Sequence, residues 1–123
     1  MKVSTTIQFK THYVYVRRLE DADLDEIENI WRRIAAACEA HDCHNILVES
    51  FMSKTPNKHI LSHSEVFIKA GIDHRHRIAW VHHQKKTLED IKKIETDINK
   101  QGNINGRLFP NIEEALKWLL RID

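Results

Sequence analysis

The stretch from His74 to Lys86, "HRHRIAWVHHQKK", sets four histidines around four apolar residues, in a chain with nine histidines among 123 residues. An imidazole changes charge near neutral pH and is a common metal ligand, so each histidine grouping is a candidate for chemistry. His82 and His83 follow "IAWV" directly, as Glu49 and Ser50 follow "NILV". A neutral imidazole beside a carboxylate can bind a divalent cation or act as a general base. Adjacent residues of a strand point to opposite faces, however, so His82 and His83 chelate poorly as a pair. His59 and His63 are four apart but lack the glutamate of the metalloprotease motif. His41, Cys43 and His44 gather between two elements, where a histidine at a helix end and a partly buried thiol are the ordinary reading. Ligand type without matching spacing selects no metal, and neither a metal nor another cofactor is expected.

Other routes to catalysis are equally thin. The chain has three glycines and no G-x-S-x-G elbow, Walker loop or dinucleotide turn. Arg107 follows Gly106 and could hold an anion, but in a short edge strand it reads as a solvated charge. No catalytic residue is expected. A formal charge of +1 gives no broad attraction to nucleic acid. No stretch approaches the ~20 apolar residues of a membrane span, and the N-terminal residues lack the apolar run of a secretory signal. The expectation is a cytoplasmic protein with Cys38 and Cys43 reduced, Cys38 in the core, folded as a single domain over residues 1–123.

The elements that must position these residues are written in the periodicity. "VSTTIQFK" and "HYVYVRRL" are β-branched and aromatic runs around a short polar break, a hairpin that puts Tyr13 and Tyr15 on one face. Leu24, Ile27, Trp31, Ile34 and Cys38 recur at helical spacing up to about His41. "HNILVESF" is a strand, followed by a polar loop from Met52 to Leu61. Ser62 and Glu65 form a capping box for a helix ending at Gly71. "RIAWVHH" is the next strand, apolar on both faces. Thr87 opens a helix carrying Leu88, Ile91, Ile94 and Ile98, with Gly102 past its end. "NINGRLF" reads as a weak strand broken by Gly106, and Asn111 with Glu114 caps a last helix. Alternation of this kind predicts an α/β fold: a four- to five-stranded, mainly parallel mixed sheet with an N-terminal β-hairpin and about four flanking helices. Trp31, Trp80 and Trp118 belong on its inward faces.

This order, with "HNILVES" before a loop and a capped helix, "RIAWVHH", and "LFPNIEEALKWL" near the C-terminus, resembles the SpoIIAA-like or STAS domains. The likeness is to their small stand-alone bacterial members, covers nearly the whole chain, and extends by fold to the CRAL-TRIO lipid carriers. It implies a non-enzymatic regulatory or protein-interaction domain, with a protein partner or a second copy of itself. In anti-sigma factor antagonists of this fold a serine opening the helix after the third strand is phosphorylated; the nearest positions here are Ser62 and Ser64. The family's Asp-Ser-x-Gly signature is absent, since "LSHSEV" stands at that place. The alternative is a carrier or sensor of a small apolar ligand or lipid, with its pocket under the Met52 to Leu61 loop. Open α/β sheets bind ligands beyond the carboxyl ends of their parallel strands, which selects Glu49, Ser50, His82 and His83 as candidate binding residues. A homodimer through the hairpin or the helix from Ser62 to Ala70 is the expected assembly.

Overall fold

A computed structural model describes residues 5–18, 24–51, 63–83, 88–100 and 105–121. Thr5–Phe9 (β1) and Val14–Arg18 (β2) pair antiparallel as the expected hairpin. The Lys10 N–H closes the turn on the Tyr13 carbonyl at 2.8 Å, and Thr11 takes a left-handed φ of 69°. Leu24–His41 (α1) then leads to Asn45–Ser50 (β3), His63–Ala70 (α2) to Arg77–His82 (β4), and Leu88–Lys100 (α3) to Asn105–Phe109 (β5), with Ile112–Leu120 (α4) last. The strands form one five-stranded sheet in the order β1-β2-β3-β4-β5, parallel from β2 to β5. This is the α/β sheet that the alternating pattern predicts.

Local chemistry ends the helices where the sequence places their stops. After α2, Gly71 has a φ of 97°, the Ile72 N–H reaches the Phe67 carbonyl at 2.9 Å, and the Gly71 N–H reaches Ile68 at 3.1 Å. These two bonds satisfy carbonyls that have no partner inside the helix, and they turn Ile72 back onto Phe67 in the core. Asp42 does the same after α1 at a φ of 47°, with Cys43 bonded to Cys38 at 3.0 Å. At the start of α4, the Asn111 side chain accepts the Glu114 N–H at 2.9 Å. The caps expected from Ser62 and Thr87 lie outside the described residues.

Two apolar layers sandwich the sheet. On one face Val14, Val16, Ile46, Val48, Ile78 and Trp80 pack against Trp31, Ile34 and Cys38 of α1 and Phe67 of α2. Trp31 meets Phe67 edge-on, with ring centroids 4.5 Å apart. On the other face Leu47, Ala79 and Val81 pack against Ala115 and Leu119 of α4, with Tyr13, Tyr15, Phe109 and Trp118 around them. β4 is therefore apolar on both sides, as a central parallel strand requires. Trp31 and Trp80 are buried and Trp118 is half-buried.

One local expectation fails. Gly106 does not break β5: it pairs with Ile78 in an unbroken ladder. A ladder is made by backbone groups, so a missing side chain weakens a strand without interrupting it. The outward edge of β5 is held as well. Asn99 of α3 donates to the Gly106 carbonyl at 2.6 Å and accepts the Gly106 N–H at 3.1 Å. Glu95, one turn earlier, accepts the Leu108 N–H. Two side chains at helical spacing thus act as the next strand.

Candidate functional site

The carboxyl ends of β2, β3 and β4 lie side by side, and the strand pleat divides their residues between the two faces. Arg17 is in register with Glu49 and Val81, while Arg18 is in register with Ser50 and His82. Of the four candidate binding residues, Glu49 and His83 therefore meet on the α4 side, and Ser50 and His82 sit together on the α1 and α2 side. The structure separates the set into two pairs.

On the α4 side Glu49 is the hub. The Tyr15 hydroxyl donates to its Oε1, and His83 Nε2 lies 2.9 Å from its Oε2. A carboxylate only accepts, so the Nε2 nitrogen of His83 carries the proton of this bond. Burial pushes the Glu49 carboxyl up, but the hydrogen bonds from Tyr15 and His83 outweigh it and leave the group below its ordinary value. Burial and the Glu49 hydrogen bond raise the Tyr15 hydroxyl to about 12, which keeps it a donor at any physiological pH. The His83 ring stacks on Phe51 at 4.5 Å, and Arg17 lies over the other ring in turn, its guanidinium 5.3 Å from the Phe51 centroid. Lys10 is placed over Tyr15 at 5.8 Å. The result is a half-exposed strip of aromatic and cationic side chains around an ionised, hydrogen-bonded carboxylate.

On the opposite face Ser50 is 1% exposed and Arg18 6%. The Ser50 hydroxyl has no hydrogen-bond partner among the described residues. Burial, then the neighbouring His83, lowers the His82 imidazole, so His82 is neutral at physiological pH. Among the described residues, neither face shows a nucleophile held against a base in the way covalent catalysis uses.

The remaining histidines disperse to separate partners. His41 stacks on Phe9 at 4.0 Å, Cys43 points its thiol at the His12 carbonyl at 3.4 Å, and His44 meets His76 edge-on at 4.8 Å. Among the described residues no group of three or more ligating side chains converges. Both cysteines are free thiols, and burial raises the Cys38 thiol to about 12. Arg107 is exposed on the edge strand, 5.6 Å from the Phe109 ring. Ser62 and His59 lie outside the described residues, and Ser64 is the second residue of α2. Two open cavities of about 550 and 560 Å³ lie at the amino ends of the parallel strands, away from Glu49. The first is lined by Glu95 and Asn99, already engaged on the β5 edge, with Arg107 and Trp118. Among the described residues no helix is long and apolar enough to cross a membrane.

Tyr15, Arg17 and Phe51 are the site members that the sequence reading misses. Strand alternation puts 15 and 17 on one face of β2 and 49 and 51 on one face of β3. Joining the two sets needs the knowledge that β2, not β1, is the neighbour of β3.

No protein-family model matches the chain, and no curated protein does. Solved structures do. An anti-sigma factor antagonist from Mycobacterium paratuberculosis superposes with a TM-score of 0.60 at 13% identity, over 94% of this chain and 92% of its own. The anti-sigma factor antagonist SpoIIAA in its unphosphorylated form superposes with a TM-score of 0.54 at 14% identity, over 97% and 99%. Identity this low speaks to architecture alone, and on that architecture the chain has the SpoIIAA-like fold.

Proposed function

We propose that the chain is a non-enzymatic regulatory domain that acts by binding a protein partner, a reading supported by its structural neighbours being named anti-sigma factor antagonists. The observation that carries this reading is the strip at the carboxyl end of the sheet. Tyr15, Glu49 and His83 satisfy one another, and Arg17, Phe51 and His83 are stacked into a half-exposed surface with its polar groups pre-arranged. Aromatic and arginine side chains of this kind concentrate binding energy at protein interfaces. In this reading Glu49 is an organising residue, and Arg17 and Phe51 make the contact.

A phosphate on Ser62 or Ser64 is the proposed control. The start of α2 favours added negative charge through the helix dipole, and Glu65 opposes it, so the modification acts by repelling a partner more than by ordering the chain. The carrier alternative draws no support from the described residues, whose larger cavities are open, one mostly polar and the other evenly mixed in lining. The Met52 to Leu61 loop, under which a carrier's pocket would lie, falls outside them.

Affinity capture with wild type and with a Ser62→Glu, Ser64→Glu variant, followed by calorimetric titration of each purified hit, tests the reading. A specific partner should bind wild type at least ~tenfold more tightly than the double variant, and Arg17→Glu should weaken it without unfolding the domain. Binding that ignores both changes, with lipid co-purifying in native mass spectra, would replace the reading with the carrier.

A further inference from the structure

The two edges of the sheet are treated differently. At β5, Asn99 and Glu95 occupy the outward N–H and carbonyl groups of Gly106 and the N–H of Leu108. At β1, no described residue other than its neighbours in β2 reaches the backbone of Thr5–Phe9. Open edges template pairing with another chain, and proteins normally charge, shorten or cover them. β1 carries no charged residue in Thr5–Phe9. It also exposes Phe9, 37% accessible, whose ring is stacked on His41 beside the edge.

We infer that β1 pairs antiparallel with β1 of a second copy about a two-fold axis at Ile7, joining two sheets into one of ten strands. A two-fold pairing sets each residue against a fixed partner. Centred on Ile7, it opposes Thr5 to Phe9, Thr6 to Gln8, and Ile7 to itself, so no like charges meet. The same operation on β5 would set Arg107 against Arg107 at its centre and would need Asn99 and Glu95 to leave. Ile7 and Phe9 share the face covered by α1, since Ile7 pairs with Val16 and Phe9 with Val14. The axis therefore brings two α1 helices to the same side of the enlarged sheet, continues the Ile7 layer across it, and covers the Phe9 ring. On the other side it joins the two Lys10–Tyr15–Arg17 strips into one surface. The inference stands independently of the regulatory reading, which a monomer would also satisfy.

Sedimentation velocity in the micromolar range should show a dimer. Thr6→Glu with Gln8→Glu sets two pairs of carboxylates directly opposite in the dimer, while within the monomer it places them near Arg17 and Lys10. That variant should keep the wild-type circular dichroism spectrum of a folded domain and dimerise at least ~tenfold more weakly. Register is read with single cysteines in a Cys43→Ser background. Thr6→Cys and Gln8→Cys proteins should form a disulfide-linked dimer when mixed under mild oxidant, and much less when kept apart. A monomer throughout the range, a glutamate variant that dimerises like wild type, or equal cross-linking in the unmixed samples each overturns the inference. So does a dimer that is lost on Ile68→Glu alone, since Ile68 is an exposed apolar residue of α2, far along the chain from β1.

Discussion

The closure of the β5 edge by α3 makes a quantitative prediction. Asn99→Ala removes one side-chain acceptor and one donor, which hold the Gly106 N–H at 3.1 Å and the Gly106 carbonyl at 2.6 Å. Gly106 is buried, so both groups lose their partners, at about 1 kcal/mol each where water can enter the edge and more where it cannot. Alanine returns roughly 0.5 kcal/mol through its better helix propensity at an exposed α3 position. The net loss is about 1.5 kcal/mol. For a chain of this length, at roughly 2 cal/mol/K of unfolding entropy per residue, that lowers the melting temperature by ~6 °C. Urea unfolding followed by circular dichroism measures it, with an unchanged m-value as the sign that only the native state is affected. Asn99→Asp keeps an acceptor for the N–H but sets a carboxylate against the carbonyl, so it should not rescue. Thr96→Ala, three residues earlier on α3 with its hydroxyl bonded back to the Lys92 carbonyl, controls for propensity and should be neutral or slightly stabilising. An alanine variant at position 99 as stable as wild type would refute the idea that these bonds substitute for a neighbouring strand.

Trp80→Ala should destabilise the domain by ~3 to 5 kcal/mol, because Trp80 is buried against Trp31 and Phe67 on the central strand; a melting curve like wild type would remove that assignment. Glu49→Gln should bring the Tyr15 hydroxyl down from about 12 while burial still holds it above 10.0, read as the ultraviolet titration of tyrosinate; an unmoved titration would disconnect the two groups. Stability should change by less than ~1 kcal/mol on adding zinc or a chelator, and a large zinc-dependent rise in melting temperature abolished by His83→Ala would contradict it. Stability should also fall with acid. His76 is 0% exposed, accepts the Asp73 N–H at Nδ1, and has its pKa lowered by burial and by His44 below the ordinary 6.5. The unfolded chain therefore takes up the proton first, so this contribution is complete above about pH 6.5 and is lost as pH falls from there toward the folded value. His82 acts with the same sign, while Asp73, held ionised mainly by Arg75, does not titrate in that window. A flat stability profile from about pH 7.5 to 5.5 would be inconsistent with a neutral buried His76.

The fold was legible because its signals are local and redundant. The helical spacing from Trp31 to Cys38, the four-residue apolar run Ile78–Val81 and the glycine after Ala70 each report on a few neighbouring residues, and each agrees with the next. Gly106 misled for the opposite reason. A glycine in an apolar run reads as a break when only the strand's own residues are considered, and what holds this one is Asn99, on the preceding helix. Nothing in "NINGRLF" itself announces that partner.

The site was half legible for a related reason. Glu49 and His83 could be chosen from the sequence because both end apolar runs, and the carboxyl ends of parallel strands are where such a sheet gathers function. Alternation alone, applied within each strand, separates Glu49 from Ser50 and His82 from His83, and the structure keeps that separation. Tyr15 and Arg17 enter only through the order of strands in the sheet. Had β1 and not β2 lain beside β3, Glu49 would face Thr or Gln side chains, with no aromatic hydroxyl to hold its Oε1 and no guanidinium over Phe51. The antiparallel hairpin thus has two jobs that follow from one placement: β2, turned inward, completes the Glu49 cluster, and β1, turned outward, carries the uncharged open edge. A substitution that tests the cluster, such as Glu49→Gln, should therefore leave dimerisation alone, while Gln8→Glu, placed opposite Tyr15 in the hairpin, adds a carboxylate to the same face and should not lower the Tyr15 titration from about 12. If Glu49→Gln weakened dimerisation, the outer strand and the cluster would have to change together, because Glu49 is two strands away from β1.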